Sequence, residues 1–178
     1  NVPTTISALL TVRTEITETL DQLESTLERA ETLIAEDNYV EAVDPYQEAG
    51  ALQAASQQAV ARYDAGLTTI DTATTEHLPA TDTFLTRLEQ YTARISAHAA
   101  EASHTAERIR ALEQLVSDLL ESAESIEQLL AAGDQILNQP EESFERASAR
   151  YQEASSELDN VRKTKEIYDG LCAEYDSV

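Results

Sequence analysis

The residues best suited to chemistry in this sequence are three histidines, one cysteine and many carboxylates. His98 and His104 lie six residues apart, so on one helix their side chains diverge and cannot share a metal ion. Glu101 and His104 form one Glu-x-x-His element, whereas carboxylate-bridged di-iron bundles need two such elements and two further inward-facing glutamates. We therefore predict no metal site and no cofactor, and we assign His77 and His98 to helix packing.

The single cysteine, Cys172, excludes an intramolecular disulfide. It falls in the hydrophobic register of its segment, which predicts a buried and inert thiol. The sequence contains no glycine-rich phosphate loop, no nucleophile elbow and no Cys-x-x-Cys pair. Acidic pairs such as Glu141-Glu142 are uninformative about acid–base catalysis in a chain with so many carboxylates. These observations predict a protein that is not an enzyme and has no catalytic residues.

The charge of the chain restricts its partners. It has 34 acidic and 12 basic residues and a formal net charge of -22, which argues against nucleic-acid binding because such proteins present a basic face. Its one basic cluster, Arg162-Lys163-Lys165, is flanked by acidic residues. The cluster is predicted to form ion pairs on a helix surface, with a small docking patch for an acidic partner as the alternative.

The balance of residue types also indicates the solvent. Only two of the basic residues are lysines, and the acidic excess comes with abundant threonine and small apolar residues, a composition that resembles proteins of salt-loving archaea. In 1 M salt the Debye length falls to about 3 Å, so dense carboxylates repel one another little. We therefore predict a halophilic protein, with an ordinary acidic coiled coil from a mesophile as the alternative.

Nothing in the sequence predicts direct membrane insertion. No stretch of about 18 apolar residues is present, and no signal peptide is visible. Because the chain begins Asn1-Val2-Pro3 without Met, we keep open an excised fragment, a processed form or a membrane anchor upstream. The compartment is not determined by the sequence, although its composition leans towards the cytoplasm.

Apolar residues recur at alternating steps of three and four along the whole chain, the pattern of helices with a heptad seam. Asp37 or Asn38 is predicted to cap the second helix, and Pro45 either kinks that helix or begins a new one capped by Asp44. The prediction is an all-α fold of antiparallel helical hairpins in a coiled-coil bundle. Its four long helices are expected at about 4–36, 39–77, 80–138 and 140–175.

Two stretches, 38–49 and 143–154, share the pattern aromatic-x-x-Ala-x-x-x-Tyr-Gln-Glu-Ala at an offset of 105 residues. Upstream apolar residues match at an offset of 103; the pairs are Leu23 and Ile126, Leu27 and Leu130, Leu33 and Ile136, and Ile34 and Leu137. The two-residue difference falls in the turn, so a helix–turn–helix hairpin would occur twice, joined by 80–106. Heptad sequences partly match one another in any case, so coincidence is the alternative.

This helix order resembles that of spectrin-type repeats, three-helix units whose last helix continues into the first helix of the next unit. The resemblance implies a three-helix unit at 1–106 and a helical hairpin at 107–178 that shares the continuous third helix, or one elongated domain. The tryptophan typical of that family is missing, because the chain has no Trp. The repeated phrase also resembles the second helix of a tetratricopeptide repeat, but the 34-residue period is absent.

The predicted hairpin at 107–178 has more apolar residues than one partner helix can cover. The candidate interface residues are Leu119, Leu120, Ile126, Leu129, Leu130, Ile136 and Leu137. Exposed apolar area of this kind is typical of an interface, so we expect a homodimer or a partner helix. The predicted function is a non-enzymatic scaffold, spacer or interaction module. The alternative is a soluble sensor or ligand-binding bundle of a membrane-anchored protein, suggested by polar seam residues at Gln53, Ser56, His98 and Thr105.

Overall fold

The computed structural model describes residues 2–70, 75–76, 78–139 and 144–176, which form an all-α fold without β-strands in these ranges. The helices are α1 (Val2–Ala35), α2 (Tyr39–Leu67), α3 (Thr81–Leu137) and α4 (Phe144–Asp176). The prediction of an all-α helical bundle with four long helices is therefore confirmed. By internal packing the chain divides into two compact units, Asn1–Ala106 and Glu107–Val178.

Helix α2 is shorter than predicted, because it ends at Leu67 and not at residue 77. After Leu67, the amides of Thr69 and Ile70 bond the carbonyls of Gly66 and Leu67, three residues back, which tightens and closes the last turn. The hydroxyls of Thr68 and Thr69 also donate to carbonyls three residues back, in competition with the helix. The predicted seam positions 74 and 77, including His77, lie outside the described residues.

The turn between α1 and α2 differs from the predicted side-chain cap. Asn38 occupies the N-cap position of α2 without a side-chain hydrogen bond, and Asp37 has a positive φ of 58°. The amide of Asp37 bonds the carbonyl of Ile34, and the amide of Asn38 bonds that of Leu33. This is a Schellman motif, which satisfies the last carbonyls of α1 and normally has glycine where Asp37 stands. The backbone, and not an acidic or amide side chain, makes this turn.

Pro45 lies inside α2 and is buried. The helix runs continuously through it from Tyr39, so the predicted fresh start capped by Asp44 is wrong. Since proline has no amide hydrogen, the carbonyl of Glu41 loses its helical partner at this point. The neighbouring Ala42, Tyr46 and buried α1 residues surround the proline with the core of the unit, which favours burying its ring.

The first unit has a continuous hydrophobic core drawn from three helices. Helix α1 contributes Ile16, Leu20, Leu23 and Leu27, all with 0% exposure. Helix α2 contributes Tyr63, whose ring meets Phe84 of α3 edge-on with centroids 5.5 Å apart. Burying one aliphatic side chain such as Leu20 of α1 stabilises the fold by roughly 1.5–3 kcal/mol. The third helix therefore completes a three-helix core between Leu9 and Ala102.

Exposed threonines are accommodated within the helices despite their low helix propensity. In α1, the hydroxyls of Thr11, Thr14, Thr17 and Thr19 each donate to the carbonyl four residues earlier. Thr86 of α3 makes the same bond to Asp82. The hydroxyl is satisfied within its own helix, so a threonine-rich surface is compatible with long helices.

Candidate interaction surface

The hairpin of the second unit is closed near its turn by Tyr151 of α4. Its hydroxyl donates to Oδ1 of Asp134 at 2.6 Å, and its ring packs closely against Gly133. A Cβ atom built on Gly133 would come within 2.7 Å of the tyrosine ring. The hydrogen bond to Asp134 raises the pKa of the Tyr151 phenol, because the carboxylate favours the protonated hydroxyl. Glycine at 133 therefore permits the close approach of α3 and α4.

The other end of this hairpin is held by polar and aromatic contacts. Arg108 of α3 donates to Glu174 of α4 at 3.1 Å. Tyr168 lines a shallow apolar groove with α3 residues that include Ile109 and Leu112. Cys172 is half-buried and not fully buried as predicted, and its hydrogen bond with Tyr168 raises the pKa of the tyrosine. The two helices are thus connected at both ends of the described hairpin.

The second unit has little fully buried material, and that material lies towards the turn between α3 and α4. Gly133, Ile136, Ala147 and Ala154 are buried, and all but Ile136 are small. The other large apolar residues described in this unit are half-buried or exposed, and the most exposed of them include Val116, Leu120, Leu130, Phe144, Leu158 and Ile167. Two helices alone cannot surround side chains of this size, since each covers only one side of the other.

The structure separates the predicted interface residues into three groups. Leu120 and Leu130 are exposed, at 67% and 42%. Ile136 is 8% exposed and therefore belongs to the packing inside the hairpin, so it is not available to a partner. The remaining four are half-buried: Leu119, Ile126, Leu129 and Leu137. Sequence reasoning did not include Phe144 and Leu158, although both are seam positions of α4.

The two exposed leucines share one side of α3 with three acidic residues. Leu120, Glu124, Glu127, Leu130 and Asp134 follow one another at steps of three or four, so they lie along one stripe of the helix. All five are exposed. We call this stripe the open face of the second unit. It combines apolar side chains with a row of carboxylates.

In the first unit, polar contacts fix α3 along α1. Arg94 makes a two-pronged pair with Glu31, with Nε to Oε1 and Nη2 to Oε2 both at 2.8 Å. One helical repeat earlier, Arg87 donates to Asp21 at 3.2 Å, and Tyr91 donates to Glu24 at 3.0 Å. Both arginines also lie near the ring of Tyr91. The hydrogen bonds from Arg94 lower the pKa of Glu31, against the opposing effect of partial burial.

The residues first considered for chemistry are dispersed. His98 is half-buried and its Nδ1 lies 3.4 Å from Glu101, whereas His104 is exposed. Among the described residues, no group of three or more histidine, cysteine and carboxylate side chains is arranged to hold a metal ion. In the basic cluster, Arg162 pairs with Asp159 at 3.5 Å and Lys165 with Asp169 at 2.9 Å.

The predicted polar seam is only partly satisfied. Gln53 donates a hydrogen bond to Thr92 of α3. The hydroxyls of Ser56 and Tyr46 are buried and have no hydrogen-bond partner among the described residues. His98 and Thr105 are half-buried. Four shallow grooves on the described surface are lined by other side chains and not by these seam residues.

Within the described residues, none of the helices combines the length and apolar character needed to span a bilayer. No family model matches the sequence, and comparison with curated proteins and with solved structures gives no significant relative.

The contact between Gly133 and Tyr151 gives a test of hairpin packing. A Gly→Ala change inside a helix normally stabilises by about 0.5–1 kcal/mol. We expect Gly133→Ala to lower the free energy of unfolding instead, by about 1 kcal/mol, because the added methyl group overlaps the tyrosine ring. Gly170→Ala is the matched control, since nothing lies within 4 Å of a Cβ there. Urea unfolding measures both, and equal stabilisation by the two changes would contradict the packing.

The pair between Arg94 and Glu31 gives a test by pH. The folded-state pKa of Glu31 is below its unfolded value, so its stabilisation is complete above the unfolded pKa and is lost as pH falls through the folded one. We expect Arg94→Gln to cost about 1 kcal/mol at neutral pH and progressively less on acidification. Arg29→Gln removes the more exposed pair with Glu48 and should cost about 0–0.5 kcal/mol. A loss for Arg94→Gln that does not change with pH would exclude this account.

Proposed function

We propose that the protein is a non-enzymatic interaction module whose second unit presents the open face to another helix. One observation carries the proposal: Leu130 is 42% exposed on a helix whose other side is already packed against α4. Leu130 shares one helix stripe with exposed Leu120, which lies nearly three turns earlier, and apolar side chains exposed along one stripe are typical of a surface that a partner covers. A helix docked on this stripe would bury both leucines.

The predicted duplication of the hairpin supports the proposal. At the offset of 103, Leu130 of the second unit corresponds to Leu27 of the first, which is 0% exposed. At the offset of 105, Tyr151 corresponds to Tyr46. Tyr151 bonds Asp134, which follows Gly133, and Tyr46 lies near Glu31, which follows the matching Ala30. We infer that one hairpin design occurs twice, once with a third helix over it and once without.

A ligand-binding bundle is the second candidate, and one observation favours it. Ser56 and Tyr46 place unpartnered hydroxyls in the core of the first unit. A small polar ligand or a water molecule would satisfy them. The seam nearby is closed by the bond between Gln53 and Thr92, which leaves the interaction module as the function we favour.

The interaction module is tested by cross-linking from the open face. A photoreactive amino acid at position 130 is expected to give a discrete cross-linked product in the cells that produce the protein, and Leu120→Glu in the same chain should abolish it. Position 85 is the matched control, because Leu85 is an exposed leucine of the first unit with 43% exposure. The same products from both positions, or none from position 130, would exclude the open face as a binding surface.

We further propose that the protein is adapted to high salt. Even if every one of the 12 basic residues pairs with an acid, 22 of the 34 acidic residues keep an uncompensated charge. In dilute buffer that repulsion opposes the compact state, and salt screens it.

The salt adaptation is tested by unfolding at increasing ionic strength. Helical content and the urea midpoint should both rise steeply as KCl increases from near zero to about 1 M. NaCl should act like KCl, because both salts screen charge equally. Trehalose, an uncharged osmolyte, stabilises folded proteins without screening charge, so its effect measures general stabilisation alone. Stability that is independent of salt would rule out this adaptation.

A further inference from the structure

The acidic residues that hold the third helix in the first unit have acidic counterparts in the second. At the offset of 103 the pairs are Asp21 and Glu124, Glu24 and Glu127, and Glu31 and Asp134. The first member of each pair receives a hydrogen bond from Arg87, Tyr91 or Arg94 of α3. The second members all lie on the open face and are exposed. The second unit therefore repeats the acidic half of an ion-pair pattern whose basic half, among the described residues, belongs to the first unit.

We propose that the open face binds an amphipathic helix that carries two arginines seven residues apart beside a stripe of leucine and aromatic side chains. This inference rests on the proposed function, and it specifies the chemistry of the partner. Within the first unit that chemistry is provided by Arg87 and Arg94, with Leu88 and Tyr91 buried between them.

The spacing of the acidic residues sets the register of the bound helix. Glu127 and Asp134 are seven residues apart, as are Glu24 and Glu31 and the two arginines of α3. In the first unit Arg87 pairs with Glu24, and Arg94, seven residues later in α3, pairs with Glu31, seven residues later in α1. Helix α3 therefore runs parallel to α1. The partner helix therefore runs parallel to 107–137 and antiparallel to α4.

Helix α4 also carries a residue suited to this partner. Leu158 corresponds to Gln53 at the offset of 105, and Gln53 is the α2 residue that reaches Thr92 of the third helix. Leu158 is 40% exposed. An apolar contact from α4 would thus accompany the leucines of α3 in covering the bound helix.

Asp134 and its counterpart in the first unit, Glu31, accept hydrogen bonds from different donors. Asp134 accepts the Tyr151 hydroxyl, whereas Glu31 binds Arg94 and the hydroxyl of Tyr46 has no partner among the described residues. The bond from Tyr151 occupies the carboxylate while no arginine is present. Docking of the partner would exchange a neutral hydroxyl donor for a charged guanidinium, so that both members of the hydrogen bond carry charge.

A second copy of this chain fits the open face poorly. Its segment with the required pattern, Arg87 to Arg94, is already packed against α1 in the first unit. The net charge of -22 would also bring acidic surface against acidic surface. An arginine-bearing helix from another polypeptide meets both requirements.

The test uses the full chain and a labelled peptide that copies residues 80–106, with fluorescence anisotropy as the readout in 1 M KCl. We expect saturable binding, weakened about tenfold or more by Glu124→Arg with Glu127→Arg. Asp118→Arg with Glu121→Arg is the matched control, because it reverses two exposed charges outside the stripe, and it should change affinity by less than about twofold. Circular dichroism confirms that each variant remains helical.

A charge-swapped peptide decides between ion pairing and general charge effects. Arg87→Glu in the peptide should abolish binding to the unmodified chain, and the same peptide should bind the Glu124→Arg, Glu127→Arg variant, because both carboxylates correspond to partners of Arg87. Binding that ignores both swaps but is lost in Leu130→Glu would overturn the arginine pairing and leave the interaction surface standing. Self-association through Leu130 without peptide binding would identify a second copy as the occupant and overturn this inference. Neither binding nor any cross-link from position 130 would overturn both proposals.

Discussion

Burial of the apolar side of a two-helix hairpin is the constraint on which this molecule depends. Two packed helices leave one side of each exposed, and a third helix is the simplest way to remove that surface from water. In the first unit α3 does so: Leu20 and Leu27 are fully buried, and Arg87 and Arg94 fix the register against carboxylates of α1. In the second unit the apolar stripe remains, and Leu120 and Leu130 face solvent.

Acidic charge has two roles in this arrangement. Most of the 34 carboxylates have no basic residue to compensate them, so they form a solvated surface that is compatible with concentrated salt. A few have defined partners, and the pair of Glu31 with Arg94 is the most ordered because both nitrogens of the guanidinium edge are engaged. The same positions in the second unit give the open face its charge. An acidic composition thus contains both a general solvated surface and carboxylates with defined hydrogen-bond partners.

On the proposed duplication, one packing arrangement occurs in two states. A hairpin with its third helix is a structural unit, and the same hairpin without it would be a binding surface for a helix of the same character. Tyr151 and Gly133 keep the second hairpin closed near its turn, so the open face is formed without a partner. A preformed surface avoids the entropy cost of ordering both helices on binding.

The sequence by itself determined the all-α class, the number of long helices and most of the buried α1 positions, because apolar spacing of three and four fixes which side of a helix avoids water. It misplaced the end of α2, where threonine hydroxyls and backbone amides bond carbonyls three residues back and close the helix at Leu67. It also misplaced the cap at Asn38, where backbone hydrogen bonds close the turn. Only the tertiary structure separated exposed Leu130 from buried Ile136, since both occupy apolar positions of one helix. That difference depends on which side α4 covers, and a single helix carries no information about where its neighbour packs.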